Sequence, residues 1–208
     1  VGVERDSPLA HPPYLCGIGT FQPVTEVFEL LKQYYPHVKR VGTVWCPAEE
    51  CAQACLRQAR AACQRLGIKL VEVTVDNTAG VKEATRALCN RGIDAIWIGG
   101  DNTVEIVADL VAVEGLAAHV PTVTNNPEFA DKGALISLGA NYVRVGEEAG
   151  KLAARVLDGL PPAQVPIENV VPQRLDLNRN VLTEVPACWA FPAALAARAD
   201  RVVGDTAP

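Results

Sequence analysis

From position 40 onward, short and nearly continuous apolar runs rich in β-branched residues alternate with longer Ala/Leu-rich stretches of helical period. The runs fall at 41–45, 70–75, 95–98 and 121–124. Strands of this kind, separated by helices, build βαβ units and a parallel sheet. Their lack of polar alternation fits strands covered by helices on both faces. The stretch 48–66 places Ala52, Cys55, Ala59, Ala62, Cys63 and Leu66 on one side, and Gly67 stops it. Helices are also expected at 81–89 and 103–116, the latter burying Ile106, Val107, Leu110, Val111 and Val113. An opening helix carries Val24, Val27, Phe28 and Leu31 and ends before Pro36.

After position 133 the rhythm continues with a strand at 134–138, a helix at 143–157 and a link containing Gly159, Pro161, Pro162 and Pro166. A strand at 170–177 and a terminal helix at 193–203 complete the pattern. The first twenty residues, with Pro8, Pro12 and Pro13, read as irregular chain.

Composition narrows the function. Of 208 residues, 49% are hydrophobic, enough for a sizeable core of one or two domains in a soluble protein. The net charge of −5 and the lack of any Lys/Arg cluster exclude a phosphate-tracking nucleic-acid surface. No apolar run reaches the roughly 18 residues of a membrane span. The chain contains no methionine, so Val1 reads as something other than a natural start, and the chain as a processed form or an excised piece.

Ligands of open parallel sheets bind beyond the carboxyl ends of the strands. Four polar loops lie there, at 46–51, 76–78, 99–103 and 124–128. In the third, Gly99 and Gly100 permit close backbone approach, and Asp101 or Asn102 either faces a ligand or caps the next helix. Asn126, before Pro127, serves a ligand or only a turn. Seven cysteines occur and no two are spaced CxxC. Cys55, Cys63 and Cys89 read as small hydrophobes. Cys46 and Cys51 are close enough for a disulfide or a soft-metal site, or are two ordinary thiols.

Catalytic signatures are lacking. The two serines, Ser7 and Ser137, stand outside any GxSxG, and there is no phosphate loop. His11, His37 and His119 fall away from the ligand loops without metal-ligand spacing. Glu49, Glu50, Asp101 and Glu105 could supply a carboxylate pair, but nothing sets their separation. No catalytic residue, metal site or cofactor is therefore expected.

The ordered segments carry a resemblance. Lys39-Arg40-Val41-Gly42-Thr43-Val44-Trp45 before a Pro47/Glu49 loop, Leu66-Gly67-Ile68, Gly100-Asp101-Asn102-Thr103-Val104 and Asn126-Pro127-Glu128-Phe129 resemble the tryptophan/tyrosine-type ABC transporter substrate-binding proteins. Gly133-Ala134-Leu135, Gly139-Ala140-Asn141-Tyr142, Gly146, Gly150 and Leu195-Ala196-Ala197-Arg198-Ala199-Asp200 continue it, so that it spans the chain from about position 20. The resemblance implies a periplasmic-binding-protein type I-like α/β fold whose two lobes close over a small, amino-acid-like ligand by a hinge. It implies Asp101 and Asn102 at the ligand, a loop from Cys46 through Glu49 to Cys51 offering backbone N–H groups to a carboxylate, and Asn126 and Tyr142 lining the cleft. The family usually has Asn and an Asn-Ser pair where Cys46 and Cys51 stand, and Asp where Asn141 stands.

By the family's chain path, 1–24 is a lead-in from a missing first lobe and 25–133 is the second lobe. Residues 134–178 cross to the first lobe, and 179–208 return. One lobe is then complete and the other partly present, leaving the crossing segment an uncovered apolar face through which copies would associate. The implied role is the extracytoplasmic solute-binding component of an ABC importer, with a permease as partner. A ligand-sensing domain of a signalling or regulatory protein is the alternative, and an enzyme built on the Cys46/Glu49/Cys51 loop is a third class.

Overall fold

The computed structural model describes residues 9–169 and 171–204. The chain forms two compact units, one made of Pro23–Gly139 with Arg174–Pro208, the other of the stretch before Pro23 with Ala140–Gln173. Residues 134–139 and 174–178, assigned to the crossing segment by the resemblance, group with the larger unit because both strands hydrogen-bond there. Leu135 N–H donates to Thr122 O at 2.8 Å and Asn178 N–H to Leu135 O at 2.9 Å.

The larger unit is built on a seven-stranded sheet. Its elements are α1 (Val24–Tyr34), β1 (Arg40–Trp45), α2 (Glu50–Leu66), β2 (Lys69–Thr74), α3 (Val81–Cys89), β3 (Ala95–Ile98), α4 (Asn102–Glu105), α5 (Ala108–Ala117), β4 (Thr122–Thr124) and β5 (Ile136–Ala140). After the excursion through α6 (Tyr142–Leu157) come β6 (Gln173–Asn178), α7 (Ala193–Ala196) and β7 (Arg201–Val203). Strand order is β2-β1-β3-β4-β5-β6-β7, and the pairs β1–β2, β1–β3, β3–β4, β4–β5 and β6–β7 run parallel. The order reverses between β1 and β3, the switch point where such sheets open a crevice at their carboxyl edge.

Both faces of the sheet are buried along its inner strands β1, β3, β4 and β5, as their unalternating runs require. On β3, fully buried Trp97 meets Phe28 of α1 with ring centroids 5.3 Å apart, while Ile96, on the opposite face, packs close to Gly115 of α5. Gly67 ends α2 in the left-handed region, φ 67°, and its N–H returns to Cys63 O and Gln64 O. Gly139 has another reason: a methyl there would strike the Asn125 carbonyl and the Pro127 ring. Gly139→Ala is expected to lower stability by about 1–3 kcal/mol, the usual range for overpacking. An unchanged urea midpoint would contradict that packing.

Three expectations need correction. The helix expected at 103–116 is broken into α4 and α5. Four of the five residues from Thr103 to Val107 are β-branched, which weakens the helix at this point. The buried residues Val104, Ala108, Val111 and Ala112 keep to one helical face across the break, and it is not the expected one, so Ile106 and Val113 are exposed. The terminal helix at 193–203 is a four-residue α7 followed by β7, which pairs with β6 through Asp176↔Arg201. The strand at 134–138 shifts to β5, and Val170, the expected start of the next strand, lies outside the described residues.

The smaller unit contains α6 and a bridge between Gly19 and Asn169. His11 Nε2 lies 2.8 Å from Val165 O. No residue of α6 is buried, and Tyr142, Val143 and Leu157 are exposed apolar residues.

Candidate ligand site at the sheet switch point

The carboxyl ends of β1 and β3 bring together two loops that are fifty residues apart in sequence. Asp101, 4% exposed, joins them. Its Oδ2 accepts from Cys46 N–H at 2.6 Å, and its Oδ1 accepts from Val104 N–H at 3.2 Å, capping α4. Of the two roles left open for Asp101 in the sequence, the structure shows the N-cap, at the carboxyl edge of β3. Burial raises its pKa, opposed by the amides of Cys46, Val104 and Thr103, while nearby Glu49 pushes in the same direction as burial.

Around this tie the polar side chains form a continuous rim. Glu49 accepts from Asn102 Nδ2 and from Thr103 Oγ1, each at 3.3 Å. Thr78 Oγ1 donates to Thr103 O at 3.2 Å, bringing the β2 loop to the same place. Asn126 Nδ2 donates to Glu105 at 3.3 Å, while its Oδ1 accepts from Glu128 N–H at 3.1 Å and caps the turn Pro127–Lys132. Asn126 is thus both a turn former and a rim residue. Asn125, beside it, is structural: buried, it accepts from Trp97 Nε1 at 2.8 Å and donates to Pro23 O and Leu138 O.

The Cys46–Cys51 loop departs from the expected row of free amides. Cys46 N–H is used by Asp101, and Glu49 N–H donates to Cys46 O at 3.1 Å. The uncommitted end is the first turn of α2, whose N-cap Glu49 offers no side-chain cap. A helix start of this kind presents N–H groups and the positive end of the helix dipole to an anion. All seven cysteines are free thiols, and among the described residues no cluster of His, Cys, Asp or Glu could hold a metal ion.

The structure therefore brings Cys46, Glu49, Cys51, Asp101, Asn102 and Asn126 to one edge of one unit. Tyr142 belongs to the other unit, where it opens α6 behind the cap Asn141, which accepts from Arg144 N–H at 3.2 Å. Thr103 and Glu105 join the rim through contacts between loops that no local signal announces. The histidines are engaged elsewhere: His37 stacks on Tyr35 and Trp189, and His119 Nδ1 lies 2.9 Å from Glu184 O. Ser137 is fully buried.

No helix among the described residues is long and apolar enough to cross a membrane. In sequence the chain is 21% identical over 166 residues to the "Tyrosine-binding protein" of Clostridioides difficile strain R20291, covering 80% of this chain and 48% of that protein. A crystal structure of a conserved domain protein from Vibrio cholerae superposes with a TM-score of 0.77 at 28% identity, covering 90% of this chain and 62% of the other. An ABC domain in complex with L-Trp from Streptococcus pneumonia gives 0.76 at 21% identity, covering 90% and 64%, and shows the shared fold. The chain spans about half the length of the curated relative and under two thirds of these structures. The family model for ABC transporter substrate binding proteins matches residues 9–203. The chain belongs to the ABC transporter substrate-binding protein family.

Proposed function

We propose that this chain supplies the ligand-binding edge of an extracytoplasmic solute-binding protein that hands an aromatic amino acid to an ABC importer. The observation that carries the reading is the Asp101–Cys46 tie at the switch point, between the uncapped start of α2 and the carboxylates of Glu49 and Glu105. The helix start suits the ligand's carboxylate, and the acidic rim suits its ammonium group. The names of the relatives, a tyrosine-binding protein and a complex with L-Trp, support an aromatic side chain. Asn102, Asn126 and the thiols of Cys46 and Cys51 complete the contacts, and Tyr142 is kept among them on the resemblance alone. The work done is binding with hinge closure and then delivery to a permease; no covalent step is needed.

Identification of what copurifies with the protein from its complete gene tests this reading. Mass spectrometry of the acid-released ligand is expected to find tyrosine, tryptophan or a close analogue. A sugar or an inorganic ion would contradict it.

The exposed Val143 and Leu157 of α6 extend the proposal to association between copies of this 208-residue chain. Sedimentation is expected to show a dimer or larger species that Leu157→Glu weakens. A stable monomer would contradict association.

A further inference from the structure

Asn125 lies buried just past β4, and its side-chain amide is bonded on both sides within the larger unit. Oδ1 accepts from Trp97 Nε1 at 2.8 Å, and Nδ2 donates to Pro23 O at 2.9 Å and to Leu138 O at 3.1 Å. The reverse orientation would set an oxygen against two carbonyls and a nitrogen against the indole N–H, so the network admits one arrangement. Both carbonyls stand where the chain changes unit. Pro23 is the first residue of the larger unit, and Leu138 is followed by Gly139, the last residue before the chain leaves it. The Asn125 backbone is engaged at the same place, since a Cβ on Gly139 would strike its carbonyl and the Pro127 ring. Pro23 O also receives Val27 N–H at 3.4 Å, in the first turn of α1, which has no side-chain cap. The remaining passage between the units, before Arg174, is held separately, by Arg174 on Asp176.

We infer that Asn125 is the positioning residue of the hinge: one buried amide pins the chain at Pro23 and at Leu138, so that bending falls beyond these points and the end of the sheet stays fixed. Asn126, which bonds Glu105 on the rim, is the next residue. Ligand edge and pivot therefore share one turn. That link to the ligand, and the use of the pivot in closure, rest on the function proposed above; the clamp itself does not.

The test is the backbone order parameter on the ps–ns timescale, read by NMR relaxation on the protein from its complete gene with no amino acid added. In the unmutated protein Val24, Leu138 and Gly139 are expected to match Ile96 of β3, at about 0.85, the value of rigid backbone. Values below about 0.6 at either passage would overturn the inference, whether or not any variant folds. Asn125→Asp keeps the size of the side chain and the acceptor for Trp97 and loses both donors. It is expected to lower the order parameter at both passages toward about 0.6 while Ile96 is unchanged. Trp97→Phe, which removes only the indole bond, should leave the passages rigid. A merely structural Asn125 would lower the urea midpoint of Asn125→Asp without moving the order parameters, and that result would overturn the inference, as would equal loosening in Trp97→Phe. Because no ligand is present, failure here is distinct from failure of tyrosine or tryptophan to bind.

Discussion

Asp176→Ala is expected to lower the unfolding free energy by about 3 kcal/mol, the lower end of what breaking a buried ion pair costs. Asp176 is fully buried. Arg174 reaches it through Nε and Nη2, each at 2.9 Å, and Arg201 through Nε at 2.8 Å, while Arg201 also bonds Asp131 at 2.7 Å. One carboxylate thus fastens β7 to β6, where Asp176 and Arg201 are paired in register. Both arginine side chains are 37% exposed and can turn back to water, which keeps the loss from being larger. Asp176→Asn, retaining one acceptor, should fall between. Urea denaturation reads both, and a change below about 0.5 kcal/mol, the size of an ordinary surface substitution, would contradict the clasp.

Asp101→Ala carries the second large effect, on stability and on binding together. It removes the cap of α4, worth about 1–2 kcal/mol, and leaves Cys46 N–H without its acceptor, costing about 1–3 kcal/mol more if no water reaches it. A total of about 2–5 kcal/mol is expected, with the β1 and β3 loops released from each other. Asp101→Asn separates the two roles, since its single carbonyl keeps one of the amide bonds without the charge. Its expected signature is a smaller stability loss with at least a tenfold weaker affinity for a ligand bearing an ammonium group. The pH dependence gives a further handle. Because burial raises the Asp101 pKa, the fold holds this proton more tightly than the unfolded chain does. The stability it contributes is present at low pH and falls as pH rises from the ordinary carboxylate range through the raised value. Asp101→Asn should remove that part of the slope, and an unaltered slope would contradict a raised pKa.

Where side-chain pattern alone decides structure, the sequence was informative. The runs at 41–45, 70–75 and 95–98 sit within one residue of β1, β2 and β3; for β1 and β3 this follows from central strands covered on both faces, which favour unbroken apolar runs. Gly67 marks the end of α2 for a local reason, its positive φ. The misplaced elements depend on distant partners. The apolar residues from Val104 to Val113 read as one helix with Ile106 and Val113 inside, whereas it is Val104, Ala108 and Val111 that join the core, with Gly115 set close to Ile96 and the Val120 carbonyl. The Ala-rich tail reads as helix, while Arg201 and Val202 are drawn into a strand by β6.

The same division runs through the site. Gly99-Gly100-Asp101 announced a cap or a ligand residue, but that Asp101 spends one oxygen on Cys46 follows from β1 and β3 being neighbours. The apolar face of α2 placed Cys55 inside correctly, as a small hydrophobe in an apolar stripe. Thr103 and Glu105 entered the rim through Glu49 and Asn126, contacts set by strand order.

Calorimetric titration of the protein from its complete gene with L-tyrosine and L-tryptophan tests the central claim most directly. Saturable one-site binding of at least one of them is predicted, weakened tenfold or more in Asp101→Asn while that variant remains folded. No heat from either amino acid, or equal affinity in the folded variant, would contradict a ligand edge built around Asp101.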